Sequence, residues 1–206
     1  DVTERRQAEA RIEHMAHHDA LTGLPNRVRF NARLDEALGR TERTGEQLAV
    51  LCLDLDRFKE VNDLFGHAVG DALLRKVGDR FRSIARGSDF VARTGGDEFV
   101  ALLCDVDTPR KLDDAMSRYV EAFRAPVDVD GLRIVSTASV GAVLSGYDAT
   151  TAELLDYADN ALYASKELGG DRGTAFDTGA EPRPDRANSL SRQAALVPDV
   201  AELEVW

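Results

Sequence analysis

Three acidic residues stand where a folded chain could bring them together. Asp54 abruptly ends the apolar run Leu48-Ala49-Val50-Leu51-Cys52-Leu53, and Asp97 and Glu98 follow directly on Gly95-Gly96. A continuously apolar run predicts a central strand covered on both faces, which would deliver Asp54 at its end. Phe90-Val91-Ala92 and Phe99-Val100-Ala101-Leu102-Leu103 flank the paired glycines and predict a hairpin that presents Asp97 and Glu98 at its turn. If these strands are neighbours, the carboxylates converge into a hard-oxygen site suited to Mg2+, which prefers carboxylates, water and substrate phosphates. Two such ions serve phosphoryl transfer, one activating an attacking hydroxyl and one neutralising a leaving pyrophosphate. The plainer reading is a solvated strand end, with Asp54 and Asp56 in water, and an ordinary glycine turn. Residue types alone leave both open.

The surrounding elements must position these groups. Thr3 to His18 is charged and free of Gly and Pro, and Ala8, Ile12 and Met15 are spaced like a short coiled-coil seam. It reads equally as the end of a connecting helix or as a frayed surface helix. His18 to Arg27 carries turn chemistry into a helix whose Phe30, Leu34, Ala37 and Leu38 recur at helical spacing. After the first strand, a polar segment from Asp56 to Gly66 leads to a helix from about Gly70 to Ala85, with Leu73, Leu74, Val77, Phe81 and Ile84 on one face. Thr108 and Pro109 open an amphipathic helix containing Leu112, Ala115, Met116, Tyr119, Val120 and Phe123. Val127 to Val129 and Leu132 to Leu144 flank Asp130-Gly131 as a second hairpin. A last helix, from about Thr151 to Leu168, is stopped by Gly169-Gly170. The pattern is roughly βααββαβ around a small, mainly antiparallel sheet, an α+β sandwich of the ferredoxin-like kind.

Composition bounds the function. The 206 residues include 26 Lys and Arg against 37 Asp and Glu, a net charge of −11, which argues against nonspecific DNA or RNA binding. A 43% hydrophobic share predicts a real core, and the longest uncharged stretch, Ile134 to Tyr147, is too short and too polar to span a membrane. Cys52 and Cys104 each sit in an apolar run, which suggests buried free thiols and a reducing, cytoplasmic setting. The chain opens on Asp1 rather than Met, so we expect an upstream part bearing a sensor or a membrane anchor. After Asp177 the sequence turns to Pro, Ser, Asp and Arg, and we expect a mobile or partner-dependent tail over 177–206.

Gly95-Gly96-Asp97-Glu98-Phe99 resembles the signature of the GGDEF domain family, the diguanylate cyclases. The likeness extends to Asp19-Ala20-Leu21-Thr22-Gly23-Leu24-Pro25-Asn26-Arg27, to the segment from Asp54 to Asp71, to Ser139-Val140-Gly141, and to Ala158 through Lys166. It covers about His17 to Phe176 in the right order. We take 19–176 as the catalytic domain and 1–18 as a linker helix, whose first residues resemble the exit of a PAS sensor. The implied fold is that of palm-type nucleotidyl cyclase domains. The implied activity is condensation of two GTP into cyclic di-GMP with loss of two pyrophosphates, at a site shared by two protomers of a homodimer.

The resemblance also assigns residues. Asp54, the Leu55 carbonyl and Asp97 would bind two Mg2+ per GTP, with Mn2+ as a substitute, and Glu98 would contact metal or water. Asp97 would also serve as base for the 3′-hydroxyl. Asn62 and Asp71 match the pair that reads guanine, whose adjacent N1 and N2 donors suit a carboxylate. They read equally as a turn residue and a helix N-cap, and both roles can hold at once. His67 between them either braces the loop or touches ligand. Gly95 and Gly96 would lie against the substrate, and Phe58, Lys59 and Lys166 beside its phosphates. Arg86 and Asp89 resemble the family's Arg-x-x-Asp site for inhibitory product; the alternative is a surface ion pair.

Two positions depart from the family. Thr94 replaces a larger residue before the glycines. Gly170 stands four positions after Lys166, where the family places a phosphate-binding arginine, and Arg172 is the nearest candidate to replace it. That departure supports a second reading, a weak or inactive domain that binds cyclic di-GMP or GTP as a regulatory module. A purely structural oligomerisation domain would leave Asp54, Asp97, Asn62 and Asp71 unexplained.

Overall fold

The structure, a computed structural model, describes residues 14–145 and 149–177. Of the predicted seam only Met15 is described, exposed in a last helical turn; Ala8, Ile12 and the tail after Asp177 lie outside the described residues. In chain order the elements are α1 (Arg27–Thr44), β1 (Ala49–Leu55), α2 (Phe58–Phe65), α3 (His67–Ile84), β2 (Phe90–Gly95), β3 (Glu98–Leu103), α4 (Pro109–Arg124), β4 (Val127–Val129), β5 (Leu132–Ile134), β6 (Ala138–Leu144), α5 (Thr151–Glu167) and β7 (Gly173–Ala175). The main sheet has the order β2-β3-β1-β6-β7. Strand β1 is antiparallel to β3 and β6, and only β7 runs parallel to its neighbour. Strands β2, β3, β1 and β6 form the expected ferredoxin-like sheet. Among the described residues no helix is long and apolar enough to cross a membrane.

Strand periodicity explains which layer each side chain enters. Ala49, Leu51, Leu53 and Leu55 join Leu73, Val77 and Phe81 of α3 and Tyr119 and Phe123 of α4 in one core. Val50 and Cys52 point the other way, joining Phe30 and Leu34 of α1 and Leu154, Ala158 and Leu162 of α5. Asp54 continues that second row, so it faces the α5 side of the sheet. Helix α5 lies unusually close to it. A Cβ added at Gly141 would sit 2.0 Å from the Leu162 nitrogen and 2.1 Å from the Ala158 oxygen, so helix meets strand backbone to backbone. Ser165 Oγ donates to the Val140 carbonyl at 2.7 Å and fixes the helix along the strand.

Helix starts follow the sequence. Asn26 accepts from the Arg29 N–H, Thr108 from the Lys111 N–H, and Thr150 and Glu153 form a reciprocal capping box. Four features differ from expectation. The run Leu132 to Leu144 is two strands: β5 pairs only with β4, and β6 crosses into the main sheet. The polar pivot between them is held by Asp56, whose carboxylate accepts from Thr137 Oγ1 and Ser139 Oγ, both at 2.6 Å. Helix α3 begins at His67 after Gly66 (φ 83°), so Asp71 lies inside the helix and is not its N-cap. Strand β7 is too short to announce itself and exists by pairing with β6. Cys104, one residue past β3, is half-buried where full burial was expected, while Cys52 is buried; neither forms a disulfide.

Candidate active site

The main cleft, about 1100 Å3, opens where β1 ends. Its walls include Asp54, Leu55, Asp97, Phe58, Lys59 and Lys166, six of the residues singled out from sequence. Asp54 is directly opposite Glu98 in the β1–β3 register, which places both carboxylates on one face of the sheet. The Leu55 N–H points to the Asp97 carbonyl at 3.4 Å, tying the strand end to the hairpin turn. Lys166 Nζ lies 2.7 Å from Asp54 Oδ2; the lysine stands in the same helix about one and two turns past Leu162 and Ala158, the residues that pack on Gly141. Burial pushes the Asp54 carboxyl up to about 6; the charges of Asp97 and Glu98 add to this, and Lys166 opposes it. Crowded acidic groups of this kind favour a bound cation.

Among the described residues no three His, Cys, Asp or Glu side chains gather closely enough to hold a metal by themselves. The donor set still fits Mg2+, which is commonly held by one or two carboxylates together with substrate phosphates. Glu98 is exposed and lies 3.8 Å from Arg27 Nη2, outside the cleft wall, as are Gly95 and Gly96.

Helices α2 and α3 fold against each other around Gly66 and Gly70. A Cβ at Gly70 would fall 1.9 Å from Asn62 Oδ1 and 3.2 Å from Phe58 Cζ, so the missing side chain lets Asn62 pack beside the residue preceding Asp71. This corner sets Asn62 against Gly70, the neighbour of Asp71 in the chain. Neither they nor exposed His67 line the main cleft wall. Phe58 is buried at the start of α2, whose preceding residue, Arg57, adopts left-handed backbone angles. The rim carries the exposed apolar side chains Leu64, Phe65, Leu132 and Val135, which sequence periodicity did not mark.

The sequence profile described as "Diguanylate cyclase, GGDEF domain" matches residues 16–172. The chain belongs to this GGDEF family. Among its relatives is the diguanylate cyclase TpbB of Pseudomonas aeruginosa, 43% identical over 159 residues that make up 76% of this chain and 37% of TpbB. The cyclic di-GMP phosphodiesterase NbdA of the same species is 41% identical over 170 residues, 82% of this chain and 22% of NbdA. A solved structure of DgcB from Caulobacter crescentus, comprising its coiled coil and GGDEF domain with c-di-GMP, has a TM-score of 0.77 at 28% identity, covering 84% of this chain and 93% of that one. These curated relatives are longer proteins, of which the chain spans about a fifth to two fifths.

Against the GGDEF pattern, the turn after α5 takes its own course. Gly170 has φ 74°, and a Cβ there would lie 2.9 Å from Asp56 Oδ1. The turn closes onto Asp56, whose Oδ2 also accepts from the Asp171 N–H at 2.9 Å. Arg172, the nearest candidate to replace the family's arginine, is not among the residues that line the cleft. Its Nε donates to the Gly170 carbonyl at 3.2 Å and it lines a separate recess of about 360 Å3 beside Arg124 and Asp171, because the closed turn directs it away from the cleft. In the Arg-x-x-Asp segment, Arg86 and Asp89 do not form a side-chain ion pair. The Asp89 carboxylate, only 4% exposed, accepts from the Arg86 backbone N–H at 2.8 Å and faces Arg118 Nη2 at 3.5 Å. The Arg86 side chain is left exposed.

Proposed function

We propose that the chain is a diguanylate cyclase domain that condenses two GTP into cyclic di-GMP, with each of two protomers holding one nucleotide. The observation that carries this reading is the meeting of Asp54 and Asp97 at one cleft with Lys59 and Lys166 beside them. Asp54, Asp97 and the Leu55 carbonyl would hold Mg2+, which when bound supplies charge neutralisation at the phosphates and activates a hydroxyl. Asp97 accepts the proton of the 3′-hydroxyl as that oxygen bonds to the α-phosphorus of the other nucleotide and the bond to the β-phosphate breaks, releasing pyrophosphate; the same exchange in the opposite direction closes the ring and releases the second. Lys59 and Lys166 balance the triphosphate charge, Lys166 by turning from Asp54 to the phosphates. Asn62 and Asp71 select guanine from the α2–α3 corner. Because each protomer supplies half of the reacting pair, bringing two protomers together contributes much of the acceleration. We further propose product feedback through Arg86, Asp89 and the neighbouring Arg118.

Gly170 favours a second reading, a domain that binds guanine nucleotides as a regulator with little turnover, since the cleft lacks an arginine at that turn. Incubation with GTP and Mg2+, followed by mass detection of cyclic di-GMP, separates the two. Product formation supports the cyclase, and GTP binding without product supports the regulator.

A further inference from the structure

Asp54 and Asp56 stand two residues apart where β1 ends, so both project from the same face of the sheet. Their surroundings differ. Asp54 meets Lys166 Nζ at 2.7 Å, whereas both oxygens of Asp56 are taken by neutral donors. Ser139 Oγ donates to Asp56 Oδ1 at 2.6 Å, and Thr137 Oγ1 and the Asp171 N–H donate to Oδ2 at 2.6 and 2.9 Å. Hydroxyl-to-carboxylate bonds of this length are charge-assisted and strong. One side chain therefore joins the exit of β1 to the pivot before β6 and to the turn after α5, and Asp56, Thr137 and Gly170 all line the cleft.

The backbone of Asp56 faces the same pivot. Its N–H donates to the Thr137 carbonyl at 2.9 Å, so Thr137 gives its hydroxyl to the Asp56 side chain and takes the Asp56 amide with its carbonyl. That amide shares a peptide unit with the Leu55 carbonyl. The unit is trans, so its N–H and C=O point in opposite directions. Strand β1 lies between β3 and β6. With the N–H aimed at the β6 pivot, the Leu55 carbonyl is aimed at the β3 side, where the Leu55 N–H meets the Asp97 carbonyl at 3.4 Å. Regular pairing of β1 stops at Asp54 on the β3 side and at Leu55 on the β6 side, so the ladder alone does not fix this peptide.

We infer that Asp56 and Thr137 form a clamp that positions the Leu55 carbonyl toward Asp97, and that Asp56 acts through this clamp and is not itself a metal ligand. The two aspartates then divide the work. Asp54 offers its carboxylate to the cation, while Asp56, its oxygens already occupied, fixes the direction of the backbone oxygen between them. Groups that orient a metal's ligands without touching the metal commonly govern its affinity as strongly as 10–100-fold. The inference rests on the proposed role of the Leu55 carbonyl at Mg2+.

The test acts through Thr137, since Asp56→Ala would empty the whole network at once. Thr137→Val keeps the side chain's shape and removes only the hydroxyl; Thr137→Ser keeps the hydroxyl. In the full chain without metal, native-state hydrogen exchange at the Asp56 amide should rise about ten-fold in Thr137→Val, the scale of one lost charge-assisted hydrogen bond. In Thr137→Ser it should stay within about two-fold of the parent, as should the Val50 to Leu53 amides in both variants. Mn2+ titrated in the presence of a non-reacting GTP analogue, and followed by electron paramagnetic resonance, should bind Thr137→Val about ten-fold more weakly and Thr137→Ser as it binds the parent. Equal acceleration of exchange along β1 would overturn the inference, reducing the clamp to general stabilisation, and so would unchanged exchange at Asp56. Unchanged Mn2+ affinity in Thr137→Val would also overturn it, and tighter binding would show that Asp56, relieved of a donor, ligates the metal. Exchange needs neither metal nor nucleotide. A parent chain that binds no Mn2+ would therefore defeat the proposed metal site, while the exchange pattern alone decides whether Asp56 and Thr137 hold the Leu55 carbonyl.

Discussion

Replacing Gly170 with arginine should destabilise the chain without improving its use of GTP. Residue order alone suggests the opposite, because the family's arginine is absent and restoring it would restore a phosphate contact. The turn in this chain is built for glycine. Its φ of 74° costs any residue with a side chain about 1–2 kcal/mol. The added Cβ would stand 2.9 Å from Asp56 Oδ1 and 3.0 Å from its Cγ, so the carboxylate must move. Asp56 holds Thr137, Ser139 and the Asp171 N–H together, and losing one hydrogen bond to a charged group costs about 1.5–3 kcal/mol. The sum is about 2.5–5 kcal/mol, or roughly 5–20 °C in the melting temperature of a chain this size. Gly170→Ala should lose nearly as much, since it adds the same Cβ without the guanidinium. Thermal and urea unfolding followed by circular dichroism measure the first effect, and the Michaelis constant for GTP the second. A Gly170→Arg chain melting within about 2 °C of the parent, with GTP affinity about ten-fold better, would refute the reasoning.

Gly141→Ala should cost about 3 kcal/mol or more, because the clash is with the backbone of α5 and no side chain can yield, and cyclisation should fall with it as the displaced helix carries Lys166 away from the cleft. Denaturant midpoints and initial rates check both parts, and a neutral substitution would mean that α5 can slide. Asp71→Ala should abolish preference for GTP over ATP in competition assays; an unchanged ratio would move the guanine pocket elsewhere. Two aspartates should show opposite pH signatures in the metal-free chain. Burial raises the Asp19 carboxyl, but hydrogen bonds from Thr22 and Arg93 outweigh it and hold it below 3.8, so its stabilisation is present above that value and is lost as the pH falls through the lowered one. Asp54, pushed up from 3.8 to about 6, makes the fold less stable as the pH rises across that window, and Asp54→Asn should remove this decline. Unfolding midpoints of the two asparagine variants between pH 3 and pH 8 that track the parent would contradict both assignments.

Much of this arrangement was legible from residue order. The apolar run ending in Asp54 and the glycine turn before Asp97 required adjacent strands to be useful, and the β1–β3 register supplies that adjacency. Alternation along β1 even fixes which layer Asp54 faces. The break between β5 and β6 was hidden because no glycine or proline marks a turn between Leu132 and Val140, and its cause, Asp56, lies some eighty residues away in sequence. The Arg93 to Asp19 contact was hidden for the same reason, since neither residue is unusual in its local pattern. Gly141 could be read as a motif position, but only a helix lying against it explains why a side chain is forbidden there. The direction of Arg172 depended on glycine torsions, which no spacing rule determines.

The most direct test of the account is synthesis of cyclic di-GMP by the purified chain from GTP and Mg2+, detected by mass, alongside Asp97→Ala with its fold checked by circular dichroism. The account predicts product and pyrophosphate from the parent chain, rising per molecule with protein concentration, and none from the variant. Equal product from a folded Asp97→Ala chain, or none from a parent chain that binds GTP and dimerises, would contradict it.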